Sequence, residues 1–225
     1  MSGELADRLR STSLPGYIAI EGPIGVGKTT LTQRLAGTLG HQMLLEPVTE
    51  NPFLNDFYQH GGRNALATQL YFLLHRTGQI SDISQNDLVG TQIVSDFLID
   101  KDDLFAQITL EPHEYQLYRQ IYENLAIKAP RPDLVVYLQA PAATLMARVK
   151  QRGIEFEQHI DSHYLETLID AYTEFFHFYD AAPVLIVNAA ELDLSSNQQH
   201  FEALLDRMID MEGTRQYFNP HPTLI

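Results

Sequence analysis

Gly22, Gly27, Lys28 and Thr29 stand at the spacing G-x-x-x-x-G-K-[ST] within EGPIGVGKTT, residues 21–30. Glycines let backbone N–H groups curl around an anion, and a helix beginning at the lysine points its positive end at the same spot. Gly25, Val26 and Thr30 complete this loop. In such a loop the lysine reaches the β- and γ-phosphates of a nucleoside triphosphate, and the threonine hydroxyl ligates Mg2+. The competing reading is a glycine-rich turn with a surface lysine. The apolar run at 17–20, just before the loop, favours the phosphate site. What becomes of the terminal phosphate is left open by the loop alone: it would be hydrolysed, sensed, or handed to another molecule.

Handing it on requires a base for the acceptor hydroxyl, an acid near Mg2+, and cations arriving over the triphosphate from another segment. Glu46 closes the short stretch QMLLE (42–46) and Asp96 closes TQIVSD (91–96), so they are candidates for the first two roles. Arg148 and Arg152, in ARVKQRG with Lys150 between them, lie four apart and so on one helix face, as candidates for the third. Each has a plainer alternative, a solvated strand-end carboxylate or an exposed charged helix face. A guanine-reading switch would want N-K-x-D late in the chain, where VNAAELDL stands instead.

The elements that must position these groups alternate. A strand at 17–21 leads through the loop into a helix from 29 to about 39, and 42–46 reads as a second strand stopped by Pro47. Leu66, Leu70, Leu73 and Leu74 recur at helical spacing over 63–76, as do Leu117, Ile121 and Leu125 over 114–127. After the strand at 91–96 comes DLVVYLQ (133–139), bracketed by Pro130, Pro132 and Pro141, an apolar run fit for a strand buried on both faces. Helices over 142–151 and 161–180 follow, the second capped by Asp161 or Ser162, and VLIVN (184–188) is the last strand. The pattern predicts an α/β chain with a doubly wound, mostly parallel sheet. Ligands then sit beyond the carboxyl ends of the strands, where Gly22, Glu46 and Asp96 fall.

At these residues the chain resembles the deoxynucleoside kinases, the bacterial deoxyadenosine/deoxyguanosine kinase branch in particular. LLEPVTENPFLNDFY (44–58) is similar to the family's E-P-V segment, which implies Glu46 as base for a nucleoside 5′-hydroxyl and Tyr58 on the sugar 3′-hydroxyl. TQLYFLLHR (68–76) resembles the helix whose glutamine reads the base edge, implying that role for Gln69. DFLIDKDDLFA (96–106) falls where the family has an acid-Arg-Ser stretch, implying Asp96 toward Mg2+, Asp102 near the base and Phe105 stacked on it. RVKQRGIEFEQHI (148–160) resembles the family's lid, implying Arg148 and Arg152 on the phosphates and Glu157 on the 3′-hydroxyl. The resemblance implies a P-loop kinase of three α/β/α layers with a helical lid, using ATP and Mg2+, catalysing with Glu46, Lys28 and Asp96, and working as a homodimer. The apolar face of 117–125 is a candidate interface, packing against the sheet its alternative. Thymidylate-kinase-like enzymes share the loop and lid logic, but their monophosphate acceptor calls for more arginines than stand near Asp96. A nucleotide sensor without turnover is the rival from another class.

Two departures remove positive charge where the transferred phosphoryl should lie. Phe97 stands in place of the family's arginine after the strand-end acid, and Ile154 in place of a lid arginine. Lys101, four residues after Phe97, would restore a cation if both share a helical face; the alternative is a solvated lysine among Asp100, Asp102 and Asp103. His159 and His163 form no H-E-x-x-H pattern, and His177 among Phe175, Phe176 and Phe178 reads as packing.

The formal net charge of −14 argues against a broad nucleic-acid surface, since nonspecific binding there needs clustered Lys and Arg. The absence of cysteine excludes disulfides and thiolate sites. MSGELADRLRSTSLPG has no apolar h-region and no run reaches membrane-span length, so no membrane partner and a cytoplasmic location are expected. The expected organisation is one domain over 1–225, with tails at 1–15 and 213–225.

Overall fold

The computed structural model describes residues 3–12, 14–85, 92–126, 129–194 and 196–219. Six strands form one sheet: β1 Tyr17–Glu21, β2 Gln42–Leu44, β3 Ile93–Ser95, β4 Leu134–Gln139, β5 Val184–Asn188 and β6 Arg215–Phe218. Their order is β2-β3-β1-β4-β5-β6, and every pairing among the described residues is parallel. β1 therefore lies between β3 and β4, at the point where the chain reverses its direction of winding. That is where doubly wound sheets open a crevice.

Successive strand residues face opposite sides, and here both sides are covered. Ile18, Ile20, Leu134, Val136 and Leu138 pack one way, with Leu31 and Leu35 of α2 (Lys28–Leu39) and Phe201, Leu204 and Leu205 of α9 (Gln198–Ile209). Tyr17, Ala19, Val135 and Tyr137 pack the other way, with Leu104 of α5 (Asp102–Thr109) and Leu168, Tyr172 and Phe176 of α8 (Ser162–Phe178). Full burial is worth about 1.5–3 kcal/mol for each large apolar side chain, which is why no strand can slip register. A third cluster joins α3 (Leu54–Gln59), α4 (Ala65–Gln85), α5 and α6 (Pro112–Ala126) into a helical wall at the open side of the crevice. α7 (Ala142–Arg152) runs from Pro141 to Gly153 and hands over to a 3-10 turn, Glu155–His159. Asp161 caps α8 by accepting from the Tyr164 amide at 2.6 Å.

Several expectations are corrected. The segment expected as an N-terminal tail holds α1 (Gly3–Ser11). Leu5 and Leu9, four apart, pack into the core, while Arg8 binds Asp206 and Asp210 of the α9 region at 2.5 Å. The segment expected as a C-terminal tail supplies β6; residues 220–225 lie outside the described part. Strands β2 and β3 stop before Glu46 and Asp96, and Thr91 lies outside the described residues. α4 runs nine residues past 76, and within it Leu74 is exposed rather than core. Leu117 is exposed too, whereas Ile121 and Leu125 pack against the third cluster.

Candidate active site

β1 delivers Glu21 and Gly22 to the crevice. Gly22 has φ +145°, and a Cβ there would sit 2.4 Å from the Leu138 carbonyl oxygen, so no side chain fits against β4. Gly27 begins α2 at φ +107°, leaving the helix amides aimed into the crevice. The Lys28 ammonium donates to the Gly22 carbonyl at 2.7 Å and folds back over the loop. Burial, with the charge of Lys101 next in weight, lowers its pKa to about 8. Thr29 Oγ1 donates to Asp96 Oδ2 at 2.6 Å, and the Glu46 amide donates to Asp96 Oδ1 at 2.7 Å. Asp96 thus ties the ends of β2 and β3 to the loop. Burial raises its pKa, against the pull of the Thr29 hydrogen bond.

Lys28, Thr29, Glu46, Asp96 and Gly25 line one cavity of about 260 Å³ together with Tyr58, Gln69, Phe105, Arg152 and Glu157. That approaches the lower end of small-molecule sites, roughly 300–1,000 Å³. Residues from seven separate segments meet there. Gln69, 6% exposed, donates to Thr109 Oγ1 at 3.3 Å, and Phe105 meets Tyr172 edge-on at 6.0 Å. Tyr58 stacks on Phe156 at 6.2 Å, and burial, then the charges of Tyr164 and Glu157, pushes its phenol well up. Arg152 grips the Glu157 carboxylate with Nε and Nη2.

Not every expected residue converges. Arg148 turns away from Arg152: its guanidinium donates to the Ala189 carbonyl at 2.8 Å and the Val26 carbonyl at 3.3 Å. With Val26, Gly27 and Thr30 it lines a second cleft, beside Leu192 and Asp193, on the other side of the phosphate loop. Asp102, 1% exposed, does not line the main cavity; it lies behind Arg76. Ile154 lines the cavity wall, while Phe97 is fully buried in the core. Leu98 is extended (φ −125°, ψ 128°), so the helical face expected to carry Phe97 and Lys101 does not form. Lys101 sits instead at the end of a 3-10 turn, Ile99–Lys101, and lines the cavity at 1% exposure. The solvated alternative for it is overturned.

Two residues escaped the sequence reading. Arg76, 4% exposed, is ion-paired with both Glu46 and Asp102 and lies 5.1 Å from the Phe72 ring. Burial lowers its pKa. Its position seven after Gln69, two helical turns along α4, was the available signal. Glu21 is fully buried; it accepts from the amides of Gly22 (3.1 Å) and Leu98 (2.7 Å) and from the Tyr172 hydroxyl (3.0 Å). Its signal was a carboxylate closing a wholly apolar strand.

A family model described as Deoxynucleoside kinase matches residues 18–211. The chain belongs to the deoxynucleoside kinase family. A deoxyguanosine kinase of Bacillus subtilis (strain 168) is 37% identical over 84% of this chain and 93% of its own length. A deoxyadenosine/deoxycytidine kinase of the same organism is 31% identical over 85% of this chain and 90% of its own. Deoxyadenosine kinase from M. mycoides with bound dATP matches with TM-score 0.74 at 29% identity, over 85% of this chain and 98% of that one. The present kinase is thus an ATP-using phosphotransferase with a deoxynucleoside acceptor, built on an α/β sheet of the same kind.

Proposed function

We propose that the kinase moves the γ-phosphoryl of ATP to the 5′-hydroxyl of a purine deoxynucleoside, inside the cavity between the phosphate loop and α4. One observation carries this reading: Lys28, Thr29 and Asp96 at the phosphate end share a single cavity with Glu46, Gln69 and Arg76 at the other. Glu46 takes the proton of the 5′-hydroxyl as its oxygen bonds to the γ-phosphorus and the bond to the ADP oxygen breaks. Arg76 holds Glu46 by Oε1, which fixes the carboxylate for that task. Gln69 and Arg76 face the base, with Asp102 positioning Arg76 from behind, and Phe105 supplies a ring for stacking. Tyr58 and Glu157 take the 3′-hydroxyl, Arg152 being the lid residue that ties Glu157 to the phosphate side. Arg148, in the second cleft with Thr30 and Gly27, faces the donor nucleotide away from the acceptor.

Thr29 Oγ1 and Asp96 Oδ2 converge as hard oxygen donors at 2.6 Å, a donor set that suits Mg2+ shared with phosphates. When bound there, Mg2+ neutralises charge developing on the phosphate oxygens. The purine preference rests on the deoxyguanosine and deoxyadenosine kinases among the relatives. We place the kinase in the cytoplasm as a homodimer joined through α4 and α6, which pack together and leave Leu74 and Leu117 exposed. No helix among the described residues is long and apolar enough to cross a membrane. A coupled ADP-release assay over the four deoxynucleosides and their monophosphates tests the acceptor. The expected result is turnover with deoxyguanosine or deoxyadenosine; activity confined to monophosphates would overturn it.

A further inference from the structure

Among the described residues four cations reach the main cavity, and three already have assigned partners or tasks there. Arg76 is held between two carboxylates, Arg152 is gripped by Glu157, and Lys28, bonded to carbonyls of its own loop, keeps its charge for the phosphates that the loop holds. Lys101 differs. Its Nζ lies 3.2 Å from Glu21 Oε1, the one carboxylate ion-paired with it among the described residues. Glu21 is already held by two backbone amides and the Tyr172 hydroxyl, so its carboxylate is a fixed platform with its charge shared among donors. An ammonium carries more donors than one carboxylate oxygen takes, and Lys101 lines the cavity.

Its location is equally specific. Lys101 interacts electrostatically with Lys28 and Asp96 on the phosphate side and with Arg76 on the acceptor side. The Nζ also lies 5.1 Å from the Phe105 ring centre. It lines the same cavity as Lys28 and Asp96 on the one hand and Arg76 on the other. As a stabilising device the pair is a poor choice, because apolar side chains of similar volume commonly serve as well as a buried ion pair. What it supplies is a positive charge at a fixed point. Phe97, packed wholly into the core, supplies none from the end of β3.

We propose that Lys101, positioned by Glu21, is a catalytic residue of this kinase that donates hydrogen bonds to the phosphoryl group as it passes between ADP and the acceptor oxygen. This rests on the function proposed above. Lys101 makes and breaks no covalent bond; it stabilises charge on the equatorial oxygens of the group in flight. Glu21 is a positioning residue, acting on the phosphoryl through Lys101.

The test compares wild type, Lys101→Met, and the double variant Glu21→Gln with Lys101→Met, which leaves no unpaired buried charge. A donor aimed at a transition-state charge is worth on the order of 10²–10³ in kcat. We expect both variants to lose that much, with KM for the nucleoside and affinity for ADP nearly unchanged. The preference for binding ATP over ADP should shrink in both, since only ATP carries the group that Lys101 meets. A double variant that folds as the wild type does, turns over within a few-fold of it and keeps the ATP-over-ADP preference overturns the proposal. A double variant that no longer folds overturns it too, by assigning the pair to stability. If the wild type itself phosphorylates no deoxynucleoside, the acceptor reading fails, and Lys101 is still judged on the ATP-over-ADP ratio.

Discussion

Arg76 is the point at which this account is most exposed, because two carboxylates, buried Asp102 and half-buried Glu46, depend on it. In Arg76→Met, Asp102 at 1% side-chain exposure and Glu46 at 13% lose their shared cation. Glu46 borders the cavity and keeps some access to water; Asp102 has none, so Asp102 dominates the cost. Breaking a buried pair by removing one partner costs roughly 3–5 kcal/mol. For a chain of this size each kcal/mol shifts the melting point by about 2–4 °C, so the fall should be roughly 6–20 °C. Adding Asp102→Asn removes the stranded charge and should recover part of the loss, although neither double nor single variant should position Glu46 for full turnover. Thermal melts followed by circular dichroism read all three proteins. A single variant as stable as wild type, or a double variant no better than the single, would refute the idea that Arg76 neutralises these carboxylates.

Other consequences follow from the same cavity. Lys28, normally protonated up to about 10.5, is lowered to about 8 in the free kinase, and a bound triphosphate favours its charged form. ATP affinity should therefore hold below about pH 8 and weaken above it, with proton uptake on binding in that range; calorimetry in buffers of different ionisation enthalpy checks this, and an affinity flat to pH 10 contradicts it. With Tyr58 and Glu157 assigned to the 3′-hydroxyl, 2′,3′-dideoxynucleosides should show a much lower kcat/KM, because buried polar groups lose their partner. Equal kcat/KM for both sugars would end that assignment. Leu117→Glu combined with Leu74→Glu should convert a dimer to a monomer in light scattering; a wild type already monomeric would remove the α4–α6 interface.

The phosphate loop and the presence of the strands around it were legible because their information is local, although β2 and β3 stop short of Glu46 and Asp96. An apolar run, a glycine pattern and a lysine in sequence specify a strand, a turn and a helix start without reference to distant residues. The Arg76 cluster was not, since Glu46, Arg76 and Asp102 come from three elements and only packing brings them together. Lys101 shows the same limit more sharply. Among Asp100, Asp102 and Asp103 the sequence leaves it either a solvated lysine or a cation near the phosphoryl, and the partner that holds it, Glu21, stands eighty positions earlier. α1 was legible in principle through Leu5 and Leu9, but polar neighbours concealed a short amphipathic stripe whose stability comes from α9. β6 depended on a free edge of the sheet, which no local pattern in TRQYF announces.

Glu46→Gln tests the central claim most directly. It keeps the shape of the side chain at the cavity wall and removes its capacity to accept the 5′-hydroxyl proton, while Arg76, losing one of its two carboxylates, stays paired with Asp102. General-base contributions are typically about 10²–10⁴-fold, so kcat with the preferred deoxynucleoside should fall by that factor while ATP binding stays nearly intact. A Glu46→Gln kinase within a few-fold of wild-type kcat would contradict the account.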